Sequence, residues 1–147
     1  LAGTVDFVNG AIATVVTSFD VWAHHLPNIE IHGTKGSMQV PDPNSFGQAR
    51  DGLHPIRVWT TETREWTEVE YTHGYAQNSR GVGVADMARA IATGRQHRAN
   101  GAMAAHVLDI MQSFIDSSER SAHGVLETGC DRPAPMPTGL TDGEIDE

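Results

Sequence analysis

Thr4-Val5-Asp6-Phe7-Val8-Asn9-Gly10-Ala11-Ile12-Ala13-Thr14-Val15-Val16-Thr17-Ser18-Phe19-Asp20-Val21-Trp22 reads as a β-hairpin, and its second arm decides what kind of sheet the chain builds. Asn9-Gly10 is a strong short-range hairpin signal, because both residues tolerate the positive φ of a two-residue type I′ turn. Alternate residues of a strand point to opposite faces. In the run after the turn, Ala11, Ala13, Val15, Thr17, Phe19 and Val21 take one face, and Ile12, Thr14, Val16, Ser18, Asp20 and Trp22 the other. Neither row is polar before Ser18, so the strand is expected to be covered on both faces. An antiparallel sheet ordinarily needs only one buried face. The second face therefore calls for another subunit, another domain or a substrate.

The remaining chain adds two further hairpins and then changes period. Ile29–His32 and Ser37–Val40 flank the turn Gly33-Thr34-Lys35-Gly36, and Pro41 ends the second strand because it has no N–H to donate. A loop from Asp42 to Pro55 follows, long enough to suggest a functional role. Ile56–Thr61 and Trp66–Tyr71 form the last hairpin, with Glu68 and Glu70 on one face and Thr67, Val69 and Tyr71 on the other. Asn78 or Ser79 then caps a first helix whose apolar stripe is Val84, Ala88 and Ile91, with Ala85 and Ala92, and which stops at Gly94. Asn100 opens a longer helix carrying Met103, Val107, Leu108, Met111, Phe114 and Ile115 at three- and four-residue steps, ended by His123-Gly124. Val125–Glu127 suggests a short strand. Pro133, Pro135 and Pro137 give an extended tail, and the acidic end from Thr141 is expected to be poorly ordered.

Strands followed by helices point to an α+β fold. The expectation is an open, mainly antiparallel sheet of about six strands with two helices packed on one face. Residues 1–127 form the sheet domain and 128–147 a Pro-rich, acidic tail. A length of 147 residues suits one domain. The formal charge of -9 argues against nucleic acid. No apolar run approaches the ~18 residues of a membrane span, so no membrane partner is expected. A single cysteine, Cys130, fits a reducing, cytoplasmic setting. Leu1 is not a Met and a strand starts within three residues, which suggests a piece of a longer polypeptide.

Candidate chemistry is sparse. Gly81-Val82-Gly83-Val84-Ala85-Asp86 lacks the third glycine of a dinucleotide fingerprint and no strand leads into it. Lys35 precedes its glycine and no helix follows, so Gly33–Ser37 is a hairpin turn rather than a phosphate loop. Eight histidines include no metal-ligand spacing. His24 and His25 are candidates to line a cleft at a strand end. The segment from Tyr71 to Arg80 is the densest polar and aromatic stretch, and Tyr75, Asn78 and Arg80 are candidates to meet an oxygen-rich ligand near a helix start. Asn44, in the long loop, completes the set of substrate-facing candidates. No catalytic, cofactor-binding or metal residue is assigned.

Ile29-Glu30-Ile31-His32-Gly33-Thr34-Lys35-Gly36-Ser37-Met38, followed by Val40-Pro41-Asp42-Pro43-Asn44, resembles the I-x-I-x-G-T-x-G-S-L…P-D-P-N stretch of the Gfo/Idh/MocA oxidoreductases, the family of glucose–fructose oxidoreductase and inositol dehydrogenase. Asn78-Ser79-Arg80-Gly81 through Ala88, with Gly94-Arg95-Gln96-His97-Arg98-Ala99, is similar to that family's first C-terminal-domain helix and its G-R-P-H-R-A-S exit. Ala105–Met111 looks like the helix that follows. The resemblance spans about Gly3 to Leu140 and implies the C-terminal domain of an NAD(P)-dependent dehydrogenase acting on a sugar, cyclitol or related polyol by hydride transfer. It implies a missing N-terminal Rossmann domain that holds NAD or NADP, with none bound by this fragment, which is then inactive alone. It also implies a homo-oligomer formed through the sheet face. The family's E-K-P lysine has no counterpart, and Asp20 with His24 matches D-x-x-x-H in spacing but falls in an expected strand, not a helix. The alternative is a stand-alone, non-catalytic assembly or ligand-binding module using the same sheet face.

Overall fold

The computed structural model describes residues 1–42, 48–49, 52–53, 55–75, 80–141 and 143–146. It is an α+β fold built from antiparallel strand pairs and two helices. The strands are β1 (Ala2–Asp6), β2 (Ile12–Val16), β3 (Ile29–Gly33), β4 (Gly36–Val40), the two-residue β5 (Gln48–Ala49) and β6 (Gly52–Leu53), β7 (Ile56–Thr60) and β8 (Trp66–Val69). The helices are α1 (Val82–Thr93) and α2 (Gly101–Arg120). The chain divides into two compact units, Leu1–Leu26 with Ala105–Gly129, and Pro27–Ala104 with Cys130–Glu147. Among the described residues no helix is long and apolar enough to cross a membrane.

In the first unit β1 and β2 pair with Gly3 opposite Val15 and Asp6 opposite Ile12. The turn differs from the type I′ expectation. Gly10 alone takes a positive φ, of 87°. Its amide donates to the Phe7 carbonyl at 2.8 Å, the Phe7 amide to the Ala11 carbonyl at 2.9 Å, and the Asn9 side chain accepts from the Ala11 amide. This is a three-residue loop in which one glycine supplies the left-handed position. Asn9 serves as a side-chain acceptor and needs no positive φ.

The second arm is shorter than its composition suggests. Pairing closes with Thr17 and Leu1, whose backbones exchange two hydrogen bonds at 3.0 and 2.9 Å. Beyond Thr17 the chain has no strand to pair with, and the Ser18 hydroxyl accepts from the Asp20 amide in an irregular segment. Asp20 and His24 therefore lie outside regular structure. The two-faced character of β2 is present: Ala13 and Val15 are half-buried, while Ile12 and Val16 are 70% and 68% exposed on the other face. Gly3, opposite Val15, allows close packing. A Cβ there would stand 2.6 Å from Phe114 of α2.

The second unit holds a four-stranded sheet in the order β3-β4-β7-β8. The six principal strands are thus split into separate sheets rather than one, because residues 17–28 carry no strand that could bridge them. Register gives the larger sheet one mainly aliphatic face and one mixed face. Ile29, Ile31, Met38, Val40, Ile56, Val58 and Val69 share the first with Thr67, while Glu30, His32, Ser37, Gln39, Arg57 and Glu68 share the second with Trp59 and Trp66. Cross-strand partners on the mixed face bond directly: Gln39 donates to Glu30 at 3.3 Å and Arg57 to Glu68 at 3.2 Å. β5 and β6 form a separate short pair within the long loop.

Both helices end on left-handed residues, Gly94 at φ 75° for α1 and Ser121 at φ 52° after α2. The expected cap of α2 is present, with the Met103 amide donating to Asn100 Oδ1 at 2.9 Å. Asn78 and Ser79 lie outside the described residues, and α1 begins after Gly81 in the left-handed region. The apolar stripe expected for α1 is not its buried face. Val84 and Ile91 are 66% and 75% exposed, whereas Asp86 and Ala90, one turn apart, are buried. A charged pair, described below, draws the Asp86 face inward. The expected strand at Val125–Glu127 is absent. Instead the Glu127 and Thr128 amides and the Thr128 hydroxyl all donate to Asp109 of α2.

Candidate functional site

α1 ends at Gly94, and the next six residues run irregularly into α2, carrying two arginines onto the carboxylate of Asp86. Asp86 Oδ1 accepts from Arg95 Nη2 at 2.7 Å and from Arg98 Nη1 at 2.5 Å, while Oδ2 accepts from the Arg98 amide at 2.8 Å. The Asp86 residue is only 3% exposed. An ionised carboxylate this deep is tolerated only when charge and hydrogen bonds compensate it. Burial alone pushes its pKa up, but the Arg98 amide and the two guanidinium groups outweigh that and hold it below the ordinary value.

The second acid of the cluster comes from the chain's end. Arg98 grips Asp146 bidentately, Nη1 to Oδ1 at 3.0 Å and Nη2 to Oδ2 at 2.6 Å, the fork-on-fork geometry that suits guanidinium and carboxylate. Its remaining donors take the Ala134 carbonyl, from Nε at 3.0 Å, and the Pro135 carbonyl, from Nη2 at 3.4 Å. The Arg98 guanidinium in turn holds the Asp146 carboxyl below its ordinary pKa. Two arginines and two aspartates make the cluster formally neutral.

Beside it lies an open cleft of about 450 Å³ lined by Arg95, Gln96, His97, Asn100, Ala102 and Asp131. The Nε–H of Arg95 is buried and has no hydrogen-bond partner among the described residues. The lining mixes donors, acceptors and one carboxylate with a single small apolar side chain, a composition that suits a polar ligand more than a flat apolar one. Among the described residues no group of three or more His, Cys, Asp or Glu side chains is gathered as a metal site would need.

The residues singled out from sequence lie elsewhere. His24 and His25 are exposed in the first unit, and His24 Nδ1 donates to the Leu26 carbonyl at 3.0 Å. Tyr75 and Arg80 belong to the second unit. Asn44 and Asn78 lie outside the described residues. Tyr75 takes a positive φ of 64°, and its hydroxyl donates to the Glu144 carbonyl and accepts from the Gly143 amide at 3.1 Å. That hydroxyl is used to hold the tail. The acidic end, expected to be loose, is therefore tied at Tyr75, Arg95 and Arg98.

No motif or spacing in the sequence marks the Arg95–Asp131 cleft as a site, although Gly94–Ala99 beside it carries part of the family resemblance. The available signal was Asp86, an acid amid Ala, Val and Met in a helix, with Arg95 and Arg98 nine and twelve positions on. Comparison with protein-family models, with curated proteins and with solved structures finds no match to this chain.

Proposed function

We propose that this chain is the C-terminal sheet domain of an NAD(P)-dependent oxidoreductase of the Gfo/Idh/MocA type. It forms one wall of a cleft for a sugar, cyclitol or related polyol and the surface through which copies associate. Hydride transfer belongs to the parent enzyme, whose Rossmann domain holds the nicotinamide cofactor. The observation that carries the reading is the outward face of the β1–β2 hairpin. Ile12 and Val16 stand two-thirds exposed there, and Phe19 and Trp22 are fully exposed just beyond. A sheet with apolar side chains on both faces has a use for a partner on the second one. The motif resemblance supports the same reading: Ile29–Met38 occupies the β3–β4 hairpin and Gly94–Ala99 the exit of α1.

The test begins with the coding DNA upstream of Leu1. An open frame of about 100–150 residues with G-x-G-x-x-G after a strand pattern, followed by E-K-P, is expected. Its protein should reduce NAD(P)+ with a polyol as hydride donor. A start codon directly before Leu1 would favour the free-standing assembly module and remove the enzyme reading. Micromolar binding of NADH by the 147-residue chain would instead overturn the assignment of the cofactor to a separate domain.

A further inference from the structure

Arg98 reaches three separate stretches at once. It holds Asp86 on α1, the Ala134 and Pro135 carbonyls in the Pro-rich tail, and Asp146 near the chain's end. The tail has no helix or strand to secure it. Thr128, where the tail starts, is held by Asp109, and further along its anchors include Tyr75, which bonds residues 143 and 144, Arg95, whose Nη2 lies 3.4 Å from the Asp146 carbonyl, and the close approach of Gly74 to the Leu140 carbonyl. Asp131, the tail's contribution to the cleft, lies three residues before the first carbonyl that Arg98 holds.

We propose that Arg98 and Asp146 form an electrostatic latch, which fixes the tail as one wall of the Arg95–Asp131 cleft and dismantles that wall when it opens. The two acids on Arg98 are not equivalent. Asp86 is buried and holds the Arg98 backbone amide as well, so it fixes the arginine in place. Asp146 is held by side-chain bonds, is 18% exposed, and sits on a segment without regular structure. Arg98 makes two hydrogen bonds to each acid, but those to Asp146 come from side chains alone and lie nearer solvent, so the outer pair is the one to open. Arg98 stays anchored on α1 while the tail detaches, and the Asp131 wall leaves with it. The latch is independent of the dehydrogenase reading, since it rests only on this cluster and this cleft.

Hydrogen–deuterium exchange on the full chain tests it. In Asp146→Asn, amides in 133–141 and 143–146 should exchange about tenfold faster, while those of α1, β4 and β7 keep wild-type protection. Arg98→Lys should free the tail as well, because an ammonium cannot serve the fork, but it also weakens the contact to Asp86, so the discrimination rests on Asp146→Asn. Glu62→Gln, an exposed charge in the β7–β8 turn, should change neither. A spin label on Cys130, which is free and exposed, should become more mobile in Asp146→Asn alone of the single-acid variants. If tail protection is unchanged in Asp146→Asn, or if α1 loses protection together with the tail, the latch is refuted.

Discussion

Arg98 and Asp146 meet through two parallel hydrogen bonds across 48 positions of sequence, closing the chain's end onto the exit of its first helix. The same guanidinium bonds Asp86 on its other side. One arginine between two acids explains how a charged aspartate comes to be the buried residue of α1 while Val84 and Ile91 face outward. Charge pairing, rather than the apolar stripe, orients that helix.

Replacing Asp86 should be among the costliest single changes in the second unit. Asp86→Ala leaves two guanidinium groups half-buried without their acid, and removing one member of such a pair costs about 3–5 kcal/mol. Urea unfolding should register that loss in the midpoint. A loss below about 1 kcal/mol, the range of an exposed pair, would mean the cluster is solvent-screened.

Acid should act through the same residues. Folding lowers the pKa of both Asp86 and Asp146 from the ordinary carboxylate value. A carboxyl lowered by folding contributes stability that is complete above its unfolded value and lost as pH falls through its folded one. Stability should stay level from about pH 8 to about pH 5 on this account and fall below about pH 4. Asp109, lowered mainly by the Thr128 hydroxyl, adds a decline of the same sign. The double variant Asp86→Asn, Asp146→Asn should show a shallower acid limb in urea midpoints measured against pH. Parallel limbs for variant and wild type would exclude the cluster as the cause.

Gly3→Ala should destabilise the first unit, because the new methyl would stand 2.6 and 2.7 Å from two ring carbons of Phe114. Overpacking of this kind costs about 1–3 kcal/mol. The clash involves a side chain, so a smaller neighbour should relieve it. Adding Phe114→Leu to Gly3→Ala should recover part of the loss in thermal unfolding, which two independent sites would not do.

The two glycines of the β3–β4 turn should respond differently. A Cβ on Gly36 would collide with the Trp59 carbonyl of the paired strand β7, and backbone cannot step aside. A Cβ on Gly33 meets nothing closer than 3.8 Å. Gly36→Ala should therefore loosen β4–β7 pairing, seen as faster amide exchange in both strands, whereas Gly33→Ala should leave it intact.

What could be read in advance was local chemistry. The β3–β4 and β7–β8 hairpins, the Asn100 cap and the Gly94 stop each depend on a few neighbouring residues, and each is in place. The single six-stranded sheet was not found, because strand length depends on a partner. β2 stops at Val16 although its composition would carry a strand further, since pairing with the first arm ends at Leu1 and Thr17. The arginine cluster depends on a contact between residues 98 and 146, which no periodicity encodes. Among the substrate-facing candidates, Tyr75 acquires a tertiary role that its sequence context did not announce, and that role is to hold the tail.

Because a single guanidinium serves α1, the Pro-rich segment and Asp146 together, its tie to the buried acid leaves positions 86 and 98 unable to drift separately. In a lineage of related chains, Arg98 should change only in company with Asp86. Asp146, by contrast, should be free to disappear wherever the tail is shortened. A set of sequences sorted by tail length would thus divide into one group holding all three residues and another holding the inner pair alone.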